Sequence, residues 1–170
     1  MAGYGLPNEQ HLSVVLQNNL SLEGHNIEII NGSVSGSTSA GGLNIAEWTL
    51  SEPSIDLMIL CLGANDMLRG ISPSETKNNL EEIIRIAKSK NINVIIAGMI
   101  APTSYGLDYK KSFDKIFSDL SVKYELQLIP FLLEGVAQIP KFNLSDGMHP
   151  NDQGTIIISN TIKKAILENL

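Results

Sequence analysis

The sequence predicts an α/β fold in which a parallel β-sheet carries helices on both faces. Residues 55–62 and 92–97 are almost entirely apolar, which is typical of strands that are covered on both sides in a parallel sheet. Segments with apolar residues at three- and four-residue spacing, typical of amphipathic helices, separate the strands. Strand and helix alternate along all 170 residues without a repeat or a linker, which predicts a single domain over residues 1–170.

The individual elements follow from the same two periodicities. The first helix carries Leu12, Leu16 and Leu20 on one face. Residues 72–75, Ser-Pro-Ser-Glu, form a capping box with proline at the first helical position, and they start the third helix. The predicted helices span residues 8–20, 39–50, 72–90, 108–124 and 152–170, and the predicted strands span residues 26–30, 55–62, 92–97 and 127–129.

The composition excludes several classes of partner. Hydrophobic residues make up 43% of the chain and charged residues 18%, which is typical of a globular protein. The net charge is −6 and the Lys and Arg residues are scattered, so no nucleic-acid partner is expected. No apolar run is long enough to span a membrane. The single cysteine, Cys61, allows no internal disulfide, and its apolar neighbours favour a packed side chain over a reactive thiol.

The segment Ser145–Pro150 near the C-terminus carries the strongest chemical signal. It places Asp146 and His149 three residues apart on a turn that contains Gly147. A carboxylate that orients a histidine is the supporting half of a nucleophilic triad. The simpler alternative is an Asp-Gly turn followed by a surface histidine, and the motif alone does not decide between the two.

Two further loops follow predicted strands and offer polar donors. The first is the Gly- and Ser-rich loop around Gly36, and the second brings Asn65 and Asp66 directly after the strand at residues 55–62. In parallel sheets, ligands bind beyond the carboxyl ends of the strands, so these loops and the Asp146–His149 loop are expected at one crevice. The alternatives are a plain turn, helix cap or phosphate cradle at Gly36, an Asx turn at Asn65, and a cap of the following turn at Asp66, which we favour for Asp66.

Four blocks of the chain, in order and with matching spacing, resemble those of the SGNH (GDSL) hydrolases. They are Ala2–Pro7, Val34–Ser39, Gly63–Asp66 and Asp146–Pro150. Within that superfamily the chain is similar to the bacterial thioesterase I, arylesterase and lysophospholipase branch. The resemblance implies a three-layer α/β/α sandwich with a flavodoxin-like parallel sheet.

The resemblance also implies a set of roles. His149 would be the general base and then the general acid, and Asp146 would orient it. Gly36 would donate a backbone N–H to the oxyanion, and Asn65 would donate its side-chain amide. The family needs no metal and no cofactor, and its substrates would be small esters, thioesters or lysophospholipids. A periplasmic or secreted location is expected from the family, whereas the oligomeric state is not indicated.

One departure from the family pattern concerns the nucleophile. In the family, the sequence Gly-Asp-Ser-Leu stands before the block at Ala2–Pro7, with one residue between them. Neither Gly-Asp-Ser-Leu nor the strand that precedes it in the family is among the 170 residues. The resemblance therefore predicts a fold that lacks its first strand, and a chain without the serine nucleophile and without esterase activity.

Two explanations remain for this departure. An N-terminal truncation, which would also remove any targeting segment, is favoured over a genuinely shortened protein, because the strands at residues 26–30 and 55–62 keep the apolar side chains of buried strands. Truncation predicts a slot one strand wide between these two strands. The alternatives to a simple ester hydrolase are a carbohydrate-ester deacetylase of the same superfamily and a non-catalytic domain that binds an acid or phosphate.

Overall fold

The computed structural model describes residues 2–169, which fall into two compact units. The terminal unit combines Met1–Ser35 with Leu132–Leu170, and the central unit is Gly36–Phe131. The chain therefore leaves the terminal unit once, builds the central unit, and returns. That the two units form one domain stays a prediction of the sequence.

The central unit contains a three-stranded parallel sheet. Its strands β1 (Leu57–Leu60), β2 (Asn93–Ala97) and β3 (Gln127–Ile129) lie in the order β1-β2-β3. Leu57 pairs with Asn93 at one end of the sheet and Ala97 with Ile129 at the other. Three of the four predicted strands are thereby confirmed, and the parallel arrangement follows from the long helical crossovers between them.

The helices of the central unit pack on this sheet and on each other. They are α2 (Ser39–Thr49), α3 (Ala64–Leu68), α4 (Pro73–Ser89) and α5 (Leu107–Tyr124). Ser72 caps α4 as the capping-box motif predicts, because its hydroxyl accepts the Glu75 backbone N–H at 3.2 Å. Helix α4 contacts α2, α5 and β2. The fully buried large side chains of this layer are Leu80, Ile84, Ile95, Ile96, Phe113, Ile116 and Leu120, and each contributes about 1.5–3 kcal/mol to folding.

The terminal unit is built on a pair of helices, α1 (Leu12–Leu22) and α6 (Asp152–Leu167), that pack against each other. Leu12, Leu16 and Leu20 are buried, as their spacing predicts. The Asn19 side-chain amide donates to the Ser159 hydroxyl at 3.0 Å across the pair. None of the helices within residues 2–169 has the length and apolar character needed to cross a membrane.

The first predicted helix begins later than its apolar pattern suggests. Asn8–Gln10 form a short 3-10 helix, and α1 starts only at Leu12. The reason is His11, whose extended backbone (φ −63°, ψ 143°) ends the 3-10 turn and serves as the N-cap of α1. Two further 3-10 helices, Thr103–Tyr105 and Pro140–Phe142, lie in connections.

The strand predicted at residues 26–30 is wrong, because this segment belongs to no β-ladder. A side chain takes the place of a strand partner. The Gln17 amide donates to the Ile27 carbonyl and accepts the Ile29 backbone N–H, both at 2.7 Å. Residues two apart in an extended segment point their carbonyl and amide groups to the same side, as these two do. The apolar pattern of a strand is therefore present without a ladder.

Candidate active site

The loop before α6 holds Asp146 and His149 as a hydrogen-bonded pair. The Asp146 Oδ2 and His149 Nδ1 atoms are 2.7 Å apart. The other carboxylate oxygen, Oδ1, accepts the backbone N–H groups of Met148 and His149 at 2.8 and 2.9 Å. Backbone bonds close the loop, since the Leu144 N–H donates to the His149 carbonyl at 2.7 Å and Gly147 adopts a positive φ of 69°. The hydrogen bond that the motif predicts is present.

These contacts determine the electrostatics of the pair. The backbone N–H of His149, its imidazole and the backbone N–H of Met148 together lower the pKa of Asp146 to about 2. The carboxylate is therefore ionised at neutral pH and holds a proton on the Nδ1 atom of His149. The Nε2 atom of His149 then presents a lone pair, and the His149 side chain is 43% exposed. This arrangement is able to accept a proton from a hydroxyl group and to return it to a leaving group.

Tyr4 is a contact of His149 that motif analysis did not single out. The two ring centroids are 4.4 Å apart and the rings are tilted by 34°. The loop that carries Tyr4 is folded tightly: Gly3 and Gly5 both have positive φ, and the Leu6 carbonyl is 3.1 Å from the His11 Nε2 atom. A side chain at Gly3 would overlap the His11 ring, so only glycine fits there. The only sequence signal for Tyr4 was its place in the first family block.

In the central unit, α3 holds the loop that contains Gly36. The Asn65 side-chain amide donates to the Ser37 carbonyl at 3.0 Å, and the Arg69 guanidinium donates to the Gly36 carbonyl at 2.8 Å. Gly36 has a φ of 74°, which favours glycine, and within residues 2–169 its N–H has no backbone or side-chain acceptor. One N–H of the Asn65 amide is used by Ser37, and the second remains for a ligand.

Asp66 does not cap the turn that follows it, contrary to the interpretation favoured from the sequence. Its carboxylate is fully buried and accepts the backbone N–H of Ser39 at 2.8 Å, together with the hydroxyls of Ser39 and Thr76. Ser39 is the first residue of α2, so the carboxylate lies at the N-terminus of that helix. Spacing alone gave no signal for this contact, because the two residues are 27 positions apart.

The predicted site residues thus form two local arrangements. Asp146 and His149 are paired in the terminal unit, whereas Gly36 and Asn65 lie on adjoining segments of the central unit. That both arrangements serve one crevice stays a prediction from the placement of these loops after strand ends. Within the part of the chain that the structure describes, no group of three or more His, Cys, Asp or Glu side chains is placed to hold a metal ion.

Comparison with models of known protein families shows to which family the chain belongs. The model of the GDSL-like lipase/acylhydrolase family matches residues 1–155. The chain belongs to this family. Its similarity to individual members extends over most of its length, and it confirms the branch that the sequence blocks predict.

Two relatives and one crystal structure show which branch of the family the chain resembles. The chain is 33% identical to an arylesterase of Vibrio mimicus over 99% of its own length and 84% of that protein. It is 30% identical to "thioesterase 1/protease 1/lysophospholipase L1" of Escherichia coli K12 over 81% of its length and 66% of that protein. The crystal structure of TesA superposes with a TM-score of 0.93 at 31% identity, covering 99% of this chain and 94% of that one. The SGNH-hydrolase fold class, an α/β sandwich, is thereby confirmed.

Proposed function

We propose that this GDSL-like hydrolase uses Asp146 and His149 as the acid–base half of a Ser-His-Asp carboxylic ester hydrolase. A serine hydroxyl would lose its proton to His149 Nε2 and attack the carbonyl carbon of an ester or thioester. The alcohol or thiol would leave with that proton. Water, activated in the same way, would then release the carboxylic acid from the acyl-enzyme.

The observation that carries this proposal is the contact between the Asp146 carboxylate and the His149 Nδ1 atom, at 2.7 Å. It fixes the tautomer in which Nε2 is a base, and it stabilises the imidazolium that forms when Nε2 takes the proton. Gly36 and Asn65 would donate hydrogen bonds to the oxyanion of the tetrahedral intermediate, through a backbone N–H and a side-chain amide. Small aryl esters, acyl thioesters and lysophospholipids are the proposed substrates, as the names of the relatives suggest.

We further propose that the 170-residue chain does not itself hydrolyse esters, because Gly-Asp-Ser-Leu is not among its residues. The nearby serines are poor substitutes. The Ser39 hydroxyl is fully buried and donates to Asp66, and the Ser37 hydroxyl is 3.4 Å from the Thr38 carbonyl. The base that the Ser39 hydroxyl contacts is the Asp66 carboxylate, which is buried with it, and neither hydroxyl lies close to His149 in sequence.

The test compares two forms of the protein on an aryl ester, an acyl thioester and a lysophospholipid. One form is the 170-residue chain, and the other carries an added N-terminal strand that ends in Gly-Asp-Ser-Leu. We expect hydrolysis only by the extended form, blocked by a serine-directed fluorophosphonate. In that form His149→Ala should lower kcat by about 10⁴-fold or more, whereas His25→Ala, a histidine outside the site, should leave kcat unchanged.

Two results would contradict the proposal. Fluorophosphonate-sensitive hydrolysis by the 170-residue chain, abolished by Ser37→Ala, would show that a serine within the chain is the nucleophile. A folded extended form without hydrolysis of any of the three esters would reject the ester hydrolase and favour a non-catalytic binding domain.

A further inference from the structure

The buried carboxylate of Asp66 is the one ionisable group of the central unit that the proposed mechanism does not use and whose exposed fraction is zero. It accepts the Ser39 N–H at 2.8 Å through Oδ2, and the hydroxyls of Ser39 and Thr76 through Oδ1. Within residues 2–169, no Lys, Arg or His side chain forms an ion pair with it. A buried carboxylate costs several kcal/mol unless its environment compensates for the lost water.

The compensation comes from the N-terminus of α2 and from neighbouring hydroxyls. Helix N-termini carry unpaired N–H groups and a partial positive charge that stabilises an anion. Helix α2 has 11 residues, and the Ser39 N–H that binds Asp66 is its first. The Asn79 amide donates to the Ser39 hydroxyl at 3.0 Å, so that this hydroxyl is oriented with its proton toward the carboxylate.

The place of Asp66 in the chain connects this cluster to the proposed oxyanion donors. It immediately follows Asn65 on α3, and its partner Ser39 ends the loop that begins at Gly36. Two other bonds reach that loop, one from Asn65 on α3 to the Ser37 carbonyl and one from Arg69, the residue after α3, to the Gly36 carbonyl. The Arg69 bond is exposed and the Asn65 bond is partly buried, whereas the Asp66 contacts with Ser39 are buried.

We infer that Asp66 is a positioning residue that fixes the separation of the Gly36 N–H and the Asn65 amide. The inference rests on the proposed function, in which these two groups bind the oxyanion. Its carboxylate holds the start of α2 against α3, and the loop between Gly36 and Ser39 is thereby held at both ends. Donors that are fixed before the reaction stabilise a developing charge without reorganisation during it.

The variants separate positioning from plain stability. Asp66→Ala removes the contact to the loop, and Thr76→Val removes a hydroxyl on α4 that lies 3.3 Å from the same carboxylate and 3.2 Å from the Ser72 carbonyl and does not touch the loop. Ser39→Ala, which removes only the hydroxyl contact of the loop, replaces Asp66→Ala if that variant does not fold.

The first readout is NMR on the 170-residue chain, through the ¹⁵N order parameters of the Gly36 amide and the Asn65 side-chain amide. We expect Asp66→Ala to lower the backbone value of Gly36 from about 0.85 to below about 0.6 and to lower the side-chain value of Asn65 as well, while Thr76→Val leaves both within error and Gly147, in the terminal unit, is unchanged in either variant. Unchanged order parameters in folded Asp66→Ala, or an equal loss in Thr76→Val, would overturn the inference.

The second readout is kinetic and uses the extended form described above. Asp66→Ala should lower kcat by about 10²-fold with KM within about threefold, because the oxyanion exists only in the transition state and the intermediate. Thr76→Val should change kcat by less than about threefold. If the extended parent does not hydrolyse esters, the proposed function fails, and the order parameters alone decide the role of Asp66. An Asp66→Ala effect on KM alone would overturn the positioning role.

Discussion

The two local arrangements of predicted site residues, Asp146 with His149 and Gly36 with Asn65, are held in opposite ways. In the terminal unit, Asp146 and His149 lie within one exposed loop, and every hydrogen bond of the Asp146 carboxylate comes from residues two or three positions away. In the central unit, Gly36 and Asn65 are held by bonds that join residues 27 to 33 positions apart, and one of the groups involved, Asp66, is buried.

This difference shows that the hydrogen-bonded Asp146–His149 pair is encoded locally, whereas the Gly36 loop depends on the tertiary structure around it. The Asp146–His149 geometry needs a tight turn and a glycine. The Gly36 loop needs α3, the N-terminus of α2 and a carboxylate without a cationic partner. The two arrangements should therefore respond differently to loss of a carboxylate and similarly to a side chain added at a glycine.

Loss of the carboxylate should produce the largest contrast in stability. Asp66→Ala leaves the Ser39 N–H and the Ser39 hydroxyl buried without their acceptor, and each such group costs about 1–3 kcal/mol, whereas the Thr76 hydroxyl keeps the Ser72 carbonyl at 3.2 Å. We expect the free energy of unfolding to fall by about 3 kcal/mol in urea denaturation. Asp146→Ala, by contrast, exposes the Met148 and His149 N–H groups to water, so it should lower the urea midpoint far less than Asp66→Ala does.

One result would contradict the predicted difference in stability between Asp66→Ala and Asp146→Ala. Equal shifts of the urea midpoint for Asp66→Ala and Asp146→Ala would mean that water reaches Asp66 or that the Asp146 loop is part of the cooperative core. Either result would remove the contrast between the locally held Asp146–His149 pair and the Gly36 loop, which is held by tertiary contacts.

The same contrast explains which parts were predictable from the sequence. Strands β1 to β3 and the capping box at Ser72 follow from apolar runs and from a motif four residues long. The Asp146–His149 bond is equally local. The buried position of Asp66 and the contact between Arg69 and Gly36 could not be predicted from the sequence. Each depends on two segments that come together only in the folded central unit.

The strand prediction for residues 26–30 was wrong for a related reason. Apolar alternation identifies side chains that can pack, but a strand also needs a backbone partner. In the structure that partner is the Gln17 amide, which binds the Ile27 carbonyl and the Ile29 N–H. A side chain on α1 that replaces a strand cannot be recognised from the periodicity of the segment it binds.

Alanine substitution of Gly36 and of Gly147 should lower the free energy of unfolding by similar amounts. Gly36 and Gly147 have φ values of 74° and 69°, and a Cβ atom at either position would meet no atom closer than 3.7 Å. Backbone strain is therefore the main cost of alanine, about 1 kcal/mol at each position, measured by urea denaturation. Gly147→Asn is the control and should cost less, because asparagine tolerates the left-handed region. A much larger loss for Gly36→Ala would show that the Gly36 loop has no room to relax.

Titration of Asp146 should reveal how much of its low pKa comes from the backbone. The pKa of about 2 lies below the ordinary value of 3.8, so the pair contributes stability above pH 3.8 that is lost as the pH falls toward 2. In the ¹³C NMR titration of the carboxyl group, we expect a midpoint near 2. His149→Ala removes only the side-chain bond, and its midpoint should lie between the two values. A midpoint at the ordinary value in His149→Ala would assign the whole shift to the imidazole.

The smallest expected effect concerns the ring of Tyr4 on His149. Tyr4 is 59% exposed, so its loss should cost less than about 1 kcal/mol. The contact should nevertheless be visible in the ¹H chemical shifts of the His149 ring, because an aromatic face 4.4 Å away shields them. Tyr4→Ala should remove that shielding, and Tyr4→Phe should keep it, since the hydroxyl is not part of the ring contact. If neither variant moves the His149 resonances, the two rings do not stack in solution, and Asp146 alone orients the imidazole.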